Sequence, residues 1–274
     1  NALRDREDAM RRAYEVVAES NRPFLEQVTA LLQVVREAVG TEYATLSRVE
    51  GEDYVFEAVD APDDPGLQAG DTTALETTNC ERVVATDRTL VLNDVAADAP
   101  ELADRAGNGE WGIACYLGAP VFVDDDVYGT FCFYSKETRS TDFTDWQITF
   151  VNLLSTWVGN ELERRRRLEQ LTVLNELNDV VHEITGAVIN QSAREEIETI
   201  ACQGLAETTS YAGAWSGTVD QSRSRITLQT AAGTGNALDG LTLTYDDATD
   251  RTPAEQVILT GTPQVTRNLR ETTD

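Results

Sequence analysis

Residues 115–135 read CYLGAPVFVDDDVYGTFCFYS, and this stretch decides the fold. Two apolar runs, 113–123 and 127–134, flank the acidic triplet 124–126. Such runs around a short polar turn predict a β-hairpin with an acidic, solvated tip. Because both strands are apolar on both faces, their sheet must be covered on both sides. We expect helices on one face and either loops or a ligand on the other.

The chain before the hairpin alternates between helical and strand-like periods. The predicted elements are helices at 4–19, 23–39 and 80–86, strands at 43–49, 54–59 and 89–92, and a polar loop with a helical turn at 94–110. Asn79 directly precedes the third helix and is a residue type that caps helix N-termini. The pattern therefore predicts a mixed α+β domain.

A long helix is predicted after the hairpin, from 143 to about 189. A first apolar stripe ends at Leu162, four arginines at 164–167 interrupt it, and a second stripe runs from Leu171 to Val188 with spacing 3-3-4-3-4. That alternation is typical of the heptad seam of a coiled coil. Such a helix is about 70 Å long, so we expect it to link two domains and to pair with a second copy as a parallel dimer. The predicted seam consists of Leu153, Trp157, Leu171, Leu174, Val181, Ile184 and Val188.

The pattern of the first half restarts after the long helix. The predicted elements are helices at 193–208 and 253–260 and strands at 213–219, 225–231, 241–245 and 263–266. The chain stops at Asp274 before any counterpart of the hairpin, so we expect a partial second domain. The predicted organisation is a linker helix at 1–20, a first domain at 21–142, a connecting and dimerisation helix at 143–189, and the partial second domain at 190–274.

Composition excludes two classes of protein. Acidic residues outnumber basic ones 48 to 22, giving a formal charge of -26, and Lys136 is the only lysine. A free-standing nucleic-acid binder needs a basic face, and a membrane span needs about 20 consecutive apolar residues, and the sequence offers neither. A chain with this net charge repels itself, and concentrated salt screens that repulsion. We therefore expect the protein to come from the cytoplasm of a halophile. The first residue is Asn1, no signal peptide is seen, and we expect a fragment of a longer cytoplasmic protein.

The hairpin resembles the paired central strands of GAF domains. The segments YLGAPV at 116–121 and YGTF at 128–131 are the closest matches, and the resemblance covers about 20–165. It implies an α+β fold with a central antiparallel sheet flanked by helices. It also implies a non-catalytic sensor of a small-molecule, redox or light signal, because GAF domains are sensory modules often joined by parallel dimeric helices.

A second resemblance covers about 165–274. Residues 171–217, which begin LTVLNELNDVVHEITG, and residues 252–269, TPAEQVILTGTPQVTRNL, look like the GAF-related segment of haloarchaeal bacterio-opsin activator regulators. Those regulators carry a C-terminal helix-turn-helix, so the resemblance implies a transcription regulator whose DNA contacts are made by a domain outside this chain. Two alternatives stay open: the sensor region of a GAF-containing histidine kinase, and a dimerisation spacer that binds no ligand.

Eight residues of the first domain are candidates for lining a ligand pocket. They are aromatic residues and cysteines: Tyr43, Phe56, Cys80, Trp111, Cys115, Tyr116, Cys132 and Tyr134. Cys80 opens a predicted helix, where the dipole favours a thiolate, so it is either a reactive thiol or a plain buried one. If the hairpin closes on 124–126, residues whose numbers sum to 250 pair. Cys115 and Cys132 then point to opposite faces, which disfavours a disulfide between them.

The sequence requires no cofactor and leaves the identity of a ligand unknown. The four cysteines form no CxxC pair, and the triplet 124–126 lacks the spaced ligands of a calcium loop, so no metal site is predicted. His182, the only histidine, lies on the long helix and is either a phosphoacceptor or a solvated residue. The first domain therefore offers no histidine for a haem. It also lacks the Cys-His pair expected near the bilin of phytochrome-type GAF domains.

Overall fold

The protein is described from a computed structural model. The structure describes residues 2–19, 22–61, 66–103, 105–190, 193–220, 222, 224–233, 242–244 and 253–265. The chain divides into two compact units, Asn1–Arg166 and Arg167–Asp274. Each unit has its own antiparallel sheet.

The first unit is built on one antiparallel sheet. Its strands are β1 Tyr43–Glu50, β2 Asp53–Asp60, β3 Thr72–Ala74, β4 Leu90–Leu92, β5 Cys115–Val123 and β6 Asp126–Ser135. Their order in the sheet is β3-β2-β1-β6-β5-β4. Its helices are α1 Ala2–Ala18, α2 Phe24–Val39, α3 Cys80–Thr86, α4 Val95–Asp98, α5 Pro100–Ala103, α6 Ala106–Trp111 and the first part of α7 Asp145–Ile189. The predicted α+β class with a central antiparallel sheet flanked by helices is confirmed.

The register of the central hairpin follows the prediction. Cys115 pairs with Ser135 and Gly118 pairs with Cys132, as the sum of 250 requires. A bulge between Val121 and Phe122 shifts the pairs nearest the turn by one residue. The turn itself is formed by Asp124 and Asp125, both of which have positive φ, as two-residue hairpin turns demand.

Two separate apolar cores cover the two faces of the sheet. On one face, α2 and α7 bury Leu31, Val35 and Val151 against β5 and β6. On the other face, the chain between β3 and β5 buries Val83 and Leu102 over aromatic residues of the sheet. This cover contains the helices α3, α4, α5 and α6, so the expectation of only loops or a ligand on this face is wrong. Of these helices, α3 has the bounds predicted from the sequence, whereas α4, α5 and α6 span six residues or fewer, too short to show an apolar period.

Strand β3 was not expected from the sequence. It has three residues, two of them threonines, and pairs with β2 at the edge of the sheet. A strand of that length carries no readable alternation, and its position is set by pairing alone.

Helix α7 lies very close to β5. A Cβ built on Gly159 would stand 2.3 Å from the carbonyl oxygen of Phe122, so only glycine permits this approach. Ser155, one turn earlier, donates a hydrogen bond of 2.5 Å to the carbonyl oxygen of Pro120. Together the two residues fix the position of the helix on the hairpin.

Among its described residues, the second unit contains the rest of α7, a smaller sheet and the helices α8 and α9. Their bounds are α8 Arg194–Glu207, β7 Ala214–Asp220, β8 Arg225–Ala232, β9 Thr242–Thr244 and α9 Pro253–Thr260. The sheet has the order β7-β8-β9, with both pairs antiparallel. The strand expected at 263–266 is not formed over 263–265, and residue 266 lies outside the described residues. The placement of the predicted domain boundaries stays a prediction.

The second half of α7 carries two apolar stripes where one was predicted. Val180 and Ala187 are buried, and Val180 lies within van der Waals reach of Gly204 on α8. The half-buried Leu177 and Ile184 follow the same inner stripe, at a spacing of three and four residues. Leu171, Leu174, Val181 and Val188 are each more than half exposed and form an outer stripe. One face of the helix therefore belongs to its own unit and another faces away from it.

Within the described residues, no helix combines the length and the apolar character that crossing a membrane requires.

Candidate functional site

The first unit has a pocket of about 700 Å³ on the aromatic face of its sheet. Strands supply Tyr43, Phe56 and Tyr134, and the end of α6 supplies Trp111. Lys136 also lines the pocket, and the remaining described lining comes from the loop before β3 and from the first residue of that strand: Gly66, Leu67, Gly70, Asp71 and Thr72. The walls thus include four aromatic rings, with one carboxylate and one ammonium group beside them.

The aromatic walls are held by contacts within the sheet. Tyr43 and Tyr134 are direct cross-strand neighbours, and their rings stack with centroids 5.0 Å apart and an interplanar angle of 4°. The Nζ of Lys136 lies 5.2 Å from the centre of the Tyr43 ring, a cation–π distance. Phe56 lies 6.1 Å from Trp111, measured between ring centroids. Aromatic rings of this kind offer flat apolar surfaces for a ligand that carries a planar group.

A cluster of thiols and phenols lies directly beneath the pocket. The Sγ of Cys80 lies 3.5 Å from the Sγ of Cys132, 2.8 Å from the hydroxyl of Tyr54 and 3.1 Å from that of Tyr116. The Tyr116 hydroxyl also lies 2.9 Å from the Sγ of Cys132. The hydroxyl of Thr130 completes the set, at 2.7 Å from that of Tyr54. All five side chains are buried.

The cluster separates the pKa values of its two thiols. Burial acts to raise the pKa of Cys80, but hydrogen bonds from Cys132, Tyr116, Tyr54 and Thr130 outweigh it and lower that pKa to about 6. Burial, followed by the neighbouring Cys80, raises the pKa of Cys132 well above its usual range. The arrangement therefore favours a thiolate at Cys80 and a protonated thiol at Cys132.

Tyr116 reaches both thiols because residue 118 is a glycine. A Cβ on Gly118 would stand 2.2 Å from the Tyr116 hydroxyl, so any side chain there would displace the phenol. Gly118 is also the cross-strand partner of Cys132. The side chain of Tyr116 therefore lies along its own strand, in the space that a side chain at residue 118 would fill.

Polar contacts hold α3 and α6 over the cluster. The amide of Asn79 exchanges two hydrogen bonds with that of Asn108, at 2.7 and 2.8 Å. Arg105 donates to the carbonyl oxygen of Thr78 at 2.7 Å and to Glu81 at 2.8 Å. The prediction that Asn79 caps α3 with its side chain is wrong, because its side chain is buried in the amide pair and makes no capping hydrogen bond.

The structure brings together seven of the eight predicted pocket residues. Tyr43, Phe56, Trp111 and Tyr134 line the pocket, and Cys80, Tyr116 and Cys132 form the cluster beneath it. Cys115 is the exception: it lies in the core on the opposite face, and including it in the pocket was wrong. Cys115 pairs with Ser135, which lies three residues after Cys132 on β6. Because this separation is odd, the two cysteines point to opposite faces of the sheet, as the sequence predicts.

Several residues of the site were not identified from the sequence, among them Tyr54, Thr130, Lys136 and Asp71. Tyr54 precedes Phe56 by two residues on β2, so the period of a strand could have placed both on one face. Lys136 is distinguished in the sequence only as the single lysine. Asp71 gives no signal, because its place at the pocket depends on the course of a loop.

The predicted seam residues of α7 differ in exposure. Leu153, Leu171, Leu174, Val181 and Val188 are exposed, whereas Trp157 and Ile184 are half-buried. Trp157 packs against the core of the first unit. His182 is also exposed, and no group of three or more metal-binding side chains occurs among the residues that the structure describes.

Comparisons with known proteins match most of the first unit to a family model. The family model for the GAF domain matches residues 23–162. The Bacterioopsin transcriptional activator of Halobacterium salinarum is 36% identical over 76 residues, which are 28% of this chain. The chain spans only 11% of the length of that relative.

Solved structures share the fold of the first unit. The GAF domain of a phosphoenolpyruvate-protein phosphotransferase from Coxiella burnetii aligns with a TM-score of 0.50 and 18% identity, over 62% of this chain and 99% of that one. A free methionine-R-sulfoxide reductase from Neisseria meningitidis aligns with a TM-score of 0.46 and 18% identity, over 60% of this chain and 93% of that one. Function on a shared fold is decided by the site and not by the fold.

Proposed function

The chain belongs to the GAF family, and from that membership we propose that its first unit senses a small molecule held over the aromatic face of the sheet. The observation that carries the proposal is the pocket of about 700 Å³ lined by Tyr43, Phe56, Trp111 and Tyr134. A pocket of that volume suits a drug-sized or smaller ligand. Stacked rings beside Lys136 and Asp71 favour a planar molecule with polar or charged substituents.

Strand β6 supports a route from the pocket to α7. Tyr134 of this strand lines the pocket, while its neighbour Phe133 belongs to the core on the opposite face, where α7 packs. A ligand that displaces Tyr134 therefore acts on a strand whose opposite face belongs to the core that α7 helps to fill. We infer that α7 relays the signal, and that the role is binding and not catalysis.

The outer stripe of α7 supports a parallel homodimer. Leu171, Leu174, Val181 and Val188 expose apolar side chains along one side of the helix. A second copy packed along this stripe would remove them from water, and a ligand could change how the two helices pack.

The relative in Halobacterium salinarum supports a role in transcription. Its name is that of a transcriptional activator, and this chain resembles a small part of it. We propose that DNA is contacted only through a domain outside the 274 residues of this sequence. The acidic composition with a single lysine supports a place in the cytoplasm of a halophile, where concentrated salt screens the charge.

The first test is native mass spectrometry and an absorption spectrum of protein purified in molar KCl. We expect a bound mass that is lost in Trp111→Ala, because this ring is a pocket wall. The matched control is Phe122→Ala, since Phe122 is exposed on β5 and lies outside the pocket lining. If the wild-type protein binds nothing, and a metabolite library produces no thermal shift that depends on Trp111, the first unit is a spacer and the proposal fails.

A further inference from the structure

Two thiols from different elements meet beneath the pocket. Cys80 is the first residue of α3, Cys132 lies in the middle of β6, and their Sγ atoms are 3.5 Å apart. A disulfide bond is about 2.0 Å long, so the sulfur atoms need to approach by about 1.5 Å to form one. Both residues are free thiols in the structure.

Hydroxyl groups are arranged to support a thiolate on Cys80. Tyr54 and Tyr116 both lie within hydrogen-bond distance of its Sγ, and Thr130 can donate to Tyr54 while Tyr54 donates to the sulfur. Three donors then converge on one sulfur: two phenols and the S–H of Cys132. Charge-assisted hydrogen bonds of this kind favour the ionised, nucleophilic form of a thiol.

A small cavity lies between this cluster and the pocket. Its volume is about 20 Å³, enough for one molecule of about the size of water. Cys80, Tyr54, Tyr116 and Thr45 line it, and the Oγ1 of Thr45 is buried without a hydrogen-bond partner among the described residues. Phe56, Trp111 and Tyr134 line both this cavity and the large pocket. A small polar molecule placed there would meet the sulfur and satisfy Thr45.

We propose that Cys80 and Cys132 are a peroxide-oxidisable thiol pair that closes to a disulfide and ties α3 to β6. The oxidant is a hydroperoxide, of which hydrogen peroxide is the smallest and comes nearest to the size of the small cavity. As a signal input the pair rests on the proposed sensory function, whereas its chemistry stands independently of any ligand in the large pocket.

The reaction balances with one peroxide for each pair of thiols. The Cys80 thiolate attacks one peroxide oxygen, so that an S–O bond forms, the O–O bond breaks and the leaving hydroxide takes up the proton that Cys80 lost on ionisation to become water. The Cys132 sulfur then attacks the resulting sulfenic acid, so that the S–S bond forms and the S–O bond breaks. The departing hydroxide takes the Cys132 proton as a second water. The thiols lose two electrons and the peroxide gains them.

Closure of the disulfide would move the start of α3 toward the sheet. Asn79, the residue before Cys80, is bonded to Asn108 of α6, and α6 ends at Trp111 in the pocket wall. Oxidation is therefore coupled to the shape of the pocket through one pair of amide hydrogen bonds. This coupling predicts a change in Trp111 fluorescence when the disulfide forms.

The test uses the full chain as a Cys115→Ser/Cys202→Ser double variant, in which only the proposed pair remains. This protein is titrated with hydrogen peroxide in molar KCl. We expect loss of both free thiols, an intact mass lower by two hydrogen atoms and a Cys80–Cys132 peptide in a non-reducing digest. Wild type should oxidise at the same rate to within about twofold, because Cys115 and Cys202 lie outside the cluster.

Two further variants separate chemistry from folding. With Cys132→Ser in the same background, the sulfenic acid at Cys80 cannot resolve, so it should persist and react with dimedone. Tyr116→Phe should slow the loss of thiol by about tenfold, since it removes one donor to the charged sulfur. The matched control Tyr14→Phe removes an exposed phenol and should leave the rate unchanged. Circular dichroism confirms that each variant is folded.

The outcomes distinguish this inference from the proposed function. Folded protein that keeps both thiols under peroxide overturns the thiol pair, while a bound mass dependent on Trp111 would still support the sensor. A disulfide between any other two cysteines, or overoxidation of Cys80 without pairing, also overturns it. Pairing without any change in Trp111 fluorescence, judged against a Trp111→Phe variant, overturns the coupling to the pocket.

Discussion

At the scale of single residues, the site depends on close packing of a few polar atoms in an apolar layer. Tyr116 lies across β5 only because Gly118 has no side chain, and it thereby reaches the sulfur atoms of both Cys80 and Cys132. Tyr54 provides the second phenol from β2. Buried thiols in apolar surroundings are ordinarily inert, so these hydroxyl groups decide the reactivity of the cluster.

The oxidation rate of Cys80 should depend on pH in a particular way. The groups that face its sulfur are Tyr54, Tyr116 and Cys132, and the carboxylate of the next residue in the chain, Glu81, is paired with Arg105. Because hydrogen bonds lower its pKa to about 6, the thiolate fraction and the rate should rise as the pH rises through 6 and level off near pH 7.

The measurement is the initial rate of thiol loss under peroxide from pH 5 to pH 9. This range includes both the lowered pKa of Cys80 and the pKa of an ordinary thiol. The Cys115→Ser/Cys202→Ser background restricts the signal to the proposed pair. A rate that keeps rising up to pH 9, as an ordinary thiol would show, contradicts the assigned low pKa of Cys80.

At the scale of elements, the first part of α7 approaches the backbone of β5 closely at Gly159. The second part of the helix is apolar on more than one side. Gly159 allows the helix to approach the carbonyl oxygen of Phe122, and Val151, Leu154 and Val158 fill the core beside it. Farther along, the inner and outer stripes separate. The helix therefore combines a packed first part with a second part that exposes apolar side chains.

Substitution of Gly159 should loosen this contact. Gly159→Ala puts a methyl group within 2.3 Å of a backbone oxygen, so the helix must shift, at a cost of about 1–3 kcal/mol in the free energy of unfolding. Gly186→Ala is the matched control on the same helix, because its Cβ meets nothing within 4 Å. It should be neutral or stabilising by up to about 1 kcal/mol. Chemical denaturation in molar KCl gives both values, and equal effects would contradict the close contact.

The outer stripe should hold the dimer together. Leu174→Asp places a charge in the middle of the proposed helix pair and should produce monomers, because burying an unpaired carboxylate is costly. Thr172→Asp adds the same charge at an exposed polar position of α7 and should leave the dimer intact. Analytical ultracentrifugation in high salt distinguishes the two. Wild-type protein that sediments as a monomer at high concentration rules out the pairing.

At the scale of the whole molecule, electrostatics is dominated by one sign of charge. The formal charge of -26 is spread over a chain with 22 basic residues, many of which form ion pairs with nearby acids. Such ion pairs between exposed groups are individually weak, so they leave most of the self-repulsion in place.

Stability should therefore increase with salt. Raising KCl from about 0.1 M to about 1 M shortens the Debye length from about 10 Å to about 3 Å and screens the repulsion between carboxylates. We expect the midpoint of thermal unfolding to rise over this range at pH 7. The same titration at pH 4, where many carboxylates are protonated, should give a smaller rise. A midpoint that falls with KCl at pH 7 contradicts this account.

The sequence alone determined the class of fold, most of its elements and the register of the central hairpin. These follow from the periodicity of apolar residues along short segments. Two apolar runs around three aspartates can pair as a hairpin in only a few registers, and the observed register is the predicted one away from the turn. The helices α3 and α9 have the predicted bounds. The same pattern placed Cys115 and Cys132 on opposite faces. It also identified seven of the residues that meet at the pocket and the cluster beneath it.

Only the tertiary structure decided which of those residues touch. The approach of Cys80 to Cys132, the course of the loop that brings in Asp71 and the amide pair of Asn79 with Asn108 join residues at least 29 positions apart or depend on a loop without period. For the same reason, the single apolar stripe predicted for the second half of α7 divides into an inner and an outer stripe in the structure. Periodicity reports that a side chain is to be buried, but the partner that buries it is chosen by packing between elements.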